Sequence, residues 1–96
     1  MGERPDFIVH NEGDNVGVVV VEDAMGGREL VGWVMETDRT VRLKVLADVP
    51  LGHKLAMRAI PNGETIIKYD HDIGRATQDI PVGGYVHAHN IKTKRW

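Results

Sequence analysis

The 96-residue chain has no cysteine. Disulfide staples, thiolate nucleophiles and cysteine-ligated zinc are therefore excluded together. Aromatic residues are scarce: two Trp, two Tyr and one Phe. None alternates with Lys or Arg, so there is no platform on which bases would stack. An excess of positive charge is missing too. Twelve Lys and Arg against fourteen Asp and Glu leave a formal charge of −2, where a nucleic-acid binder shows a basic face. The only basic cluster is Lys92, Lys94 and Arg95. No apolar run approaches the roughly 20 residues that a membrane-spanning helix needs. The opening Met1-Gly2-Glu3-Arg4-Pro5 has no apolar signal-peptide segment. The expectation is a cytoplasmic protein with neither nucleic acid nor membrane as its partner.

What the chain does have is glycine and short hydrophobic segments. Hydrophobic residues make up 42% and charged residues 27% of it, the balance of an ordinary globular domain. A chain of this size buries roughly 60–65% of its unfolded surface, enough for one core, so residues 1–96 are expected to form a single domain. Eleven Gly and four Pro cut it into short pieces rich in Val, Ile and Thr, which favours an all-β fold. Strands are expected at Phe7 to His10, Val16 to Val21, Leu30 to Met35, Thr40 to Leu46, His53 to Ile60, Glu64 to Tyr69, Arg75 to Ile80 and Tyr85 to Asn90. In Thr40 to Leu46, Val41, Leu43 and Val45 alternate with Arg42 and Lys44, the pattern of a strand with one face inward. A single helical turn before Gly26 is the only helix the pattern allows.

One template recurs three times: Val49-Pro50-Leu51-Gly52, Ile60-Pro61-Asn62-Gly63 and Ile80-Pro81-Val82-Gly83. Proline at the second and glycine at the fourth position of a type I turn would make each copy a chain reversal. Short strands joined by Pro-x-Gly turns are the expected architecture.

Several polar residues have chemical potential. His87-Ala88-His89 on a strand would project both imidazoles from one face, beside Tyr85. Two imidazoles so placed either share a divalent metal with further ligands or hydrogen-bond locally. His10 and Asp14 flank the turn Asn11-Glu12-Gly13, a pair suited to proton transfer or to capping that turn. Lys54 and Lys68 are either solvated strand residues or point charges for an anionic substrate. Asp70-His71-Asp72 reads as a polar loop. No P-loop, dinucleotide glycine loop or Ser-His-Asp arrangement is present.

Five stretches occur together in order. They are His10 followed by Asp14-Asn15-Val16-Gly17-Val18, then Pro50-Leu51-Gly52-His53-Lys54-Leu55-Ala56, Ile67-Lys68-Tyr69, Asp72-Ile73-Gly74-Arg75-Ala76, and Val86-His87-Ala88-His89-Asn90-Ile91-Lys92-Thr93. The set resembles the N-terminal SAF-type domain of the altronate and galactarate dehydratase family. Trp33 to Asp38 and Lys92 to Trp96 are similar to the small subunits of sulfolactate sulfo-lyases within it. The resemblance implies a small β-clip (SAF-like) fold and a lyase acting on a small anionic hydroxy acid, with a larger catalytic subunit as partner and Fe(2+) in the complex. It also implies catalytic parts for His10, Asp14, His87 and His89, and substrate contacts for Asn15, His53, Lys54, Lys68 and Asn90. His87 and His89 are the candidate metal ligands. The alternatives are a sugar-acid dehydratase subunit and a non-catalytic SAF-type binding module. An isolated chain is open to homo-oligomer formation, and Lys94 to Trp96 are expected to meet the partner.

Overall fold

The computed structural model describes residues 4–93, so Lys94 to Trp96 lie outside the described residues. Glycine and proline break most of the chain into short pieces, and the longest stretch without either, residues 33–49, carries the period-two alternation of a strand instead of a helical period. Extended pairing is then the remaining way to satisfy the backbone. Nine strands form among the described residues: β1 (Phe7–Val9), β2 (Val16–Val19), β3 (Glu29–Val34), β4 (Arg39–Lys44), β5 (Lys54–Ala56), β6 (Thr65–Lys68), β7 (His71–Ala76), β8 (Tyr85–Val86) and β9 (Ile91–Lys92). The protein is all-β, and no helix among the described residues is long and apolar enough to cross a membrane.

Six strands form one sheet in the order β4-β3-β1-β2-β5-β8, and β6-β7-β9 form a second. β1 runs parallel to β3, which sets Phe7 opposite Gly32. A Cβ at Gly32 would lie 2.2 Å from the Phe7 ring. The missing side chain is thus the slot that the fully buried Phe7 occupies. Phe7, Val19, Leu30, Val34 and Leu55 build one apolar cluster. Val16, Ala56, Ile60, Ile66, Ile80 and Val86 build another. β2 and β5 contribute to both, through Val19 and Val16 and through Leu55 and Ala56, and so tie the two cores together.

β4 keeps its alternation, with Val41 and Leu43 packed on the first core and Arg42 and Lys44 exposed. The threefold template forms reversals, framed one residue later than expected. His53 N–H donates to the Pro50 carbonyl, Glu64 N–H to Pro61 and Gly84 N–H to Pro81. Proline is therefore first and glycine third, with φ of 85°, 89° and 80° at Gly52, Gly63 and Gly83. Only glycine takes that left-handed angle without cost at the third position of a type II turn. Val49, Ile60 and Ile80, one residue before each proline, are buried anchors.

Other expectations fail: the strand expected from Arg75 to Ile80 is instead β7 at His71–Ala76, and the one expected from His53 to Ile60 stops at Ala56. Residues 21–25 bend without a helical turn. Asp70-His71-Asp72 is not a loop: β7 begins at His71, after a two-residue turn at Tyr69 and Asp70. The strand expected from Tyr85 to Asn90 stops at Val86. His87 to Asn90 form a tight turn, because the Asn90 side chain accepts from His87 N–H and donates to the Tyr85 carbonyl.

Candidate functional site

The two loops that follow β1 and β6 meet at Asp14. Its buried carboxylate accepts from the backbone N–H of Asn11 at 3.2 Å, Tyr69 at 2.8 Å and Asp70 at 2.8 Å. This gives Asp14 an architectural task, holding the His10 loop against the β6–β7 turn. Asn15 does the same one residue on: its amide donates to the Thr65 carbonyl and accepts from Ile67 N–H. The result is local and specific. The His10 ring meets Tyr69 edge-on at 4.7 Å, and Lys68 Nζ lies 5.1 Å from the centre of the Tyr69 ring.

A second group gathers at the junction of β5 and β8. Pairing of β5 with β8 sets Lys54 opposite Val86 and Leu55 opposite Tyr85. His53 Nδ1 is 2.5 Å from the Tyr85 hydroxyl. The His87 ring stacks on His53 with centroids 4.5 Å apart and on Tyr85 at 5.5 Å. His89 reaches the same tyrosine at 5.4 Å, although it lies on a turn and not on a strand. The sequence-level reasoning for the two histidines is therefore wrong, while their proximity is real: the Asn90-capped turn, not strand periodicity, brings them together.

Lys54, Lys68 and His87 line one concavity of about 470 Å³, floored by Ile73, Ala88 and Ile91. Burial, and then the charge of Lys68, holds the Lys54 ammonium below its usual range. His87 is also held low, first by partial desolvation and then by His53, Lys54 and His89. Among the described residues no carboxylate pairs with Lys54 or Lys68, whereas Arg28, Arg39 and Arg42 each have an acidic partner. A protein of net charge −2 thus keeps two uncompensated lysines in one hollow, which suits an anion. No three His, Asp or Glu side chains among the described residues come together as a metal site. The donor set of the described residues does not by itself complete an iron site.

The sequence places Tyr85 beside the two histidines and Tyr69 after Lys68 but gives neither tyrosine a role. Sequence reasoning missed Glu12. The Glu12 carboxylate pairs with Arg39 at 2.6 Å and accepts from the Thr37 hydroxyl, while Glu12 N–H donates to Glu36. Trp33 to Arg39 thereby clamp the His10 loop from outside. The Thr37 hydrogen bond most, and Arg39 in addition, hold the Glu12 carboxyl below the usual carboxylate range against an opposing effect of burial. A depressed carboxyl stabilises the fold above its unfolded pKa and loses that effect as pH falls through the folded value. The protection factor of the Glu12 amide is accordingly expected to fall as pH drops below the ordinary carboxylate range, and Glu12→Gln to reduce that acid dependence. Equal acid sensitivity in both proteins would separate the clamp from the carboxylate.

An electropositive hollow with an imidazole on its edge is a surface whose charge suits a small anion. Residues 5–94 match the Altronate/galactarate dehydratase SAF domain, and the chain belongs to that family. It is 55% identical over 91 residues to the (2R)-sulfolactate sulfo-lyase subunit alpha of Chromohalobacter salexigens, covering 95% of this chain and 97% of that protein. The subunit of the same name from Paracoccus pantotrophus is 56% identical over 55 residues, 57% of this chain and 82% of that protein. The altronate dehydratase of Bacillus subtilis is 36% identical over 87 residues, which are 91% of this chain and 16% of that enzyme.

Proposed function

We propose that the chain is the small subunit of a carbon–sulfur lyase that splits (2R)-3-sulfolactate into pyruvate and bisulfite, acting with a larger catalytic subunit. One observation supports it above the rest: Lys54 and Lys68 share a hollow with His87 and lack a carboxylate partner among the described residues. Sulfolactate carries a carboxylate and a sulfonate, so two cations suit its two ends. The reaction removes the proton from the carbon bearing the carboxylate. The carbon–sulfur bond of the neighbouring carbon then breaks, and sulfite leaves with the electron pair. Enolpyruvate remains and tautomerises to pyruvate. The proton taken from carbon leaves as that of bisulfite, so charge and atoms balance.

In this reading His87 is the base. An imidazole held below its ordinary pKa is neutral at physiological pH and free to accept a proton. His89 lies on the same turn against Tyr85, and His10 meets Tyr69, whose ring Lys68 faces. Asp14, Asn15 and Asn90 act through the turns that they hold. Iron, where the assembled enzyme uses it, would take its ligands chiefly from the larger subunit, given the incomplete donor set here. Its chemistry would be to polarise the substrate carboxylate. An open hollow on a small domain leaves water in contact with any bound anion, so the chain is expected to be inactive alone.

Purified chain should release no bisulfite from (2R)-sulfolactate, and release should begin when a sulfo-lyase large subunit is added anaerobically with ferrous iron. Continued silence of that mixture would overturn the assignment. The match to altronate dehydratase supports a second reading, a sugar-acid dehydratase subunit. Altronate offered to the same mixture decides between them.

A further inference from the structure

At the β5–β8 junction Tyr85 and His53 form a close side-chain pair whose hydrogen bond fixes a proton position. The hydroxyl of Tyr85 faces His53 Nδ1 at 2.5 Å, and Tyr85 is half-buried against the first core. Between a neutral phenol and a neutral imidazole, the stronger acid is the phenol and the stronger base the ring nitrogen. The O–H therefore donates and Nδ1 accepts. A neutral imidazole carries one proton, which then resides on Nε2. Nδ1 is occupied, so Nε2–H is the only ring atom that His53 can offer to a ligand.

We propose that Tyr85 is a positioning residue: by donating to Nδ1 it locks His53 as the Nε2–H tautomer and makes it a hydrogen-bond donor to the anionic group that leaves. This rests on the lyase reading for the identity of that group, the sulfite departing from carbon. The two stacked imidazoles then divide the work. His87, whose ring has no hydrogen-bonding partner of this kind among the described residues, takes the proton, and His53 meets developing negative charge. Two bases would serve an elimination less well, because the leaving sulfite gains charge as the carbon–sulfur bond breaks. A donor already aimed at that charge needs no reorganisation during the reaction. His53 also adjoins Lys54 in sequence, so donor and cation arrive from one short segment, fixed by the Pro50-Leu51-Gly52 turn that precedes it.

Nitrogen-15 correlation spectra of the labelled chain read the tautomer directly. His53 is expected to show Nδ1 as the acceptor nitrogen and Nε2 as the protonated one. Tyr85→Phe keeps the ring in the core and should turn His53 into a mixture of tautomers. In the complex with the large subunit, the same variant should lower kcat about tenfold, with KM changed by no more than roughly twofold. His53→Gln retains a side-chain N–H and should recover part of the activity lost in His53→Ala. In the His53→Gln background, Tyr85→Phe should add almost nothing, as expected if one residue acts through the other.

A proton on His53 Nδ1 in the unaltered chain would overturn the proposal, as would a tautomer indifferent to Tyr85→Phe. An equal loss from Tyr85→Phe in both backgrounds would do the same. If the unaltered complex releases no bisulfite, the lyase reading fails by itself. The spectra of the chain still decide whether Tyr85 positions His53.

Discussion

Replacing Asp14 with alanine is expected to lower the unfolding free energy by about 3–5 kcal/mol, a large part of what a domain of this size has. The reason lies in the β6–β7 turn. Tyr69 and Asp70 sit at φ of 53° and 62°, consecutive left-handed residues, neither of them glycine. A two-residue hairpin turn with both angles positive favours Asn-Gly, and side chains with a Cβ cost roughly 1–2 kcal/mol each there. Asp14 offsets that cost by accepting both of their N–H groups, and it accepts Asn11 N–H as well. Alanine leaves three backbone donors facing a site with no acceptor, at a cost of about 1–3 kcal/mol for each one that water cannot reach. Urea denaturation measures the loss as a shift of midpoint at unchanged slope. Tyr69→Asn with Asp70→Gly should restore part of it in the alanine background, because the turn then no longer needs the carboxylate. No recovery would mean that Asp14 acts mainly through Asn11 and the His10 loop.

This same contact explains what the sequence leaves unread. Alternation in Thr40 to Leu46 is local, and the strand is found where the alternation puts it. The Pro-x-Gly template is local too, and it forms turns, although the position of glycine within them follows from the φ that each turn requires. The start of β7 is different. Nothing within Asp70-His71-Asp72 announces a hairpin, since the group that stabilises the turn is Asp14, more than fifty residues earlier. The His87 to Asn90 turn depends on a side-chain cap that competes with strand pairing, and period-two reasoning has no access to such competition. For the site, the motif residues give the imidazoles and lysines. The grouping of His53, His87 and His89 around Tyr85 comes from β5–β8 pairing, and that pairing joins segments thirty residues apart. Tyr85 itself is invisible as a functional residue until its hydroxyl is seen on His53.

Substitution of both Lys54 and Lys68 by methionine is expected to reduce kcat/KM of the assembled enzyme by about a hundredfold to a thousandfold. Each lysine contacting a partly desolvated anionic group accounts for roughly 1.5–2 kcal/mol, and tenfold corresponds to about 1.4 kcal/mol. Methionine keeps the apolar stem over Ile73 and Ile91, so the hollow stays packed while its charge goes. The pH profile gives a finer test. His87 works unprotonated, and its lowered pKa sets the acid limb below the ordinary imidazole range. Lys54 works protonated, and its own lowered pKa sets the basic limb below the ordinary lysine range. Lys54→Met alone removes a cation that repels the His87 proton, so the acid limb should move to higher pH. Lys68→Met alone removes the charge that weakens Lys54, so the basic limb should move to higher pH as well. Added salt should raise KM for the unaltered enzyme and have less effect on the double variant, because screening acts on charges that the variant no longer has. Limbs that stay fixed in both single variants would mean that the lysines do not share a site with His87 in the working complex. Full activity of the double variant would place the substrate anion elsewhere altogether.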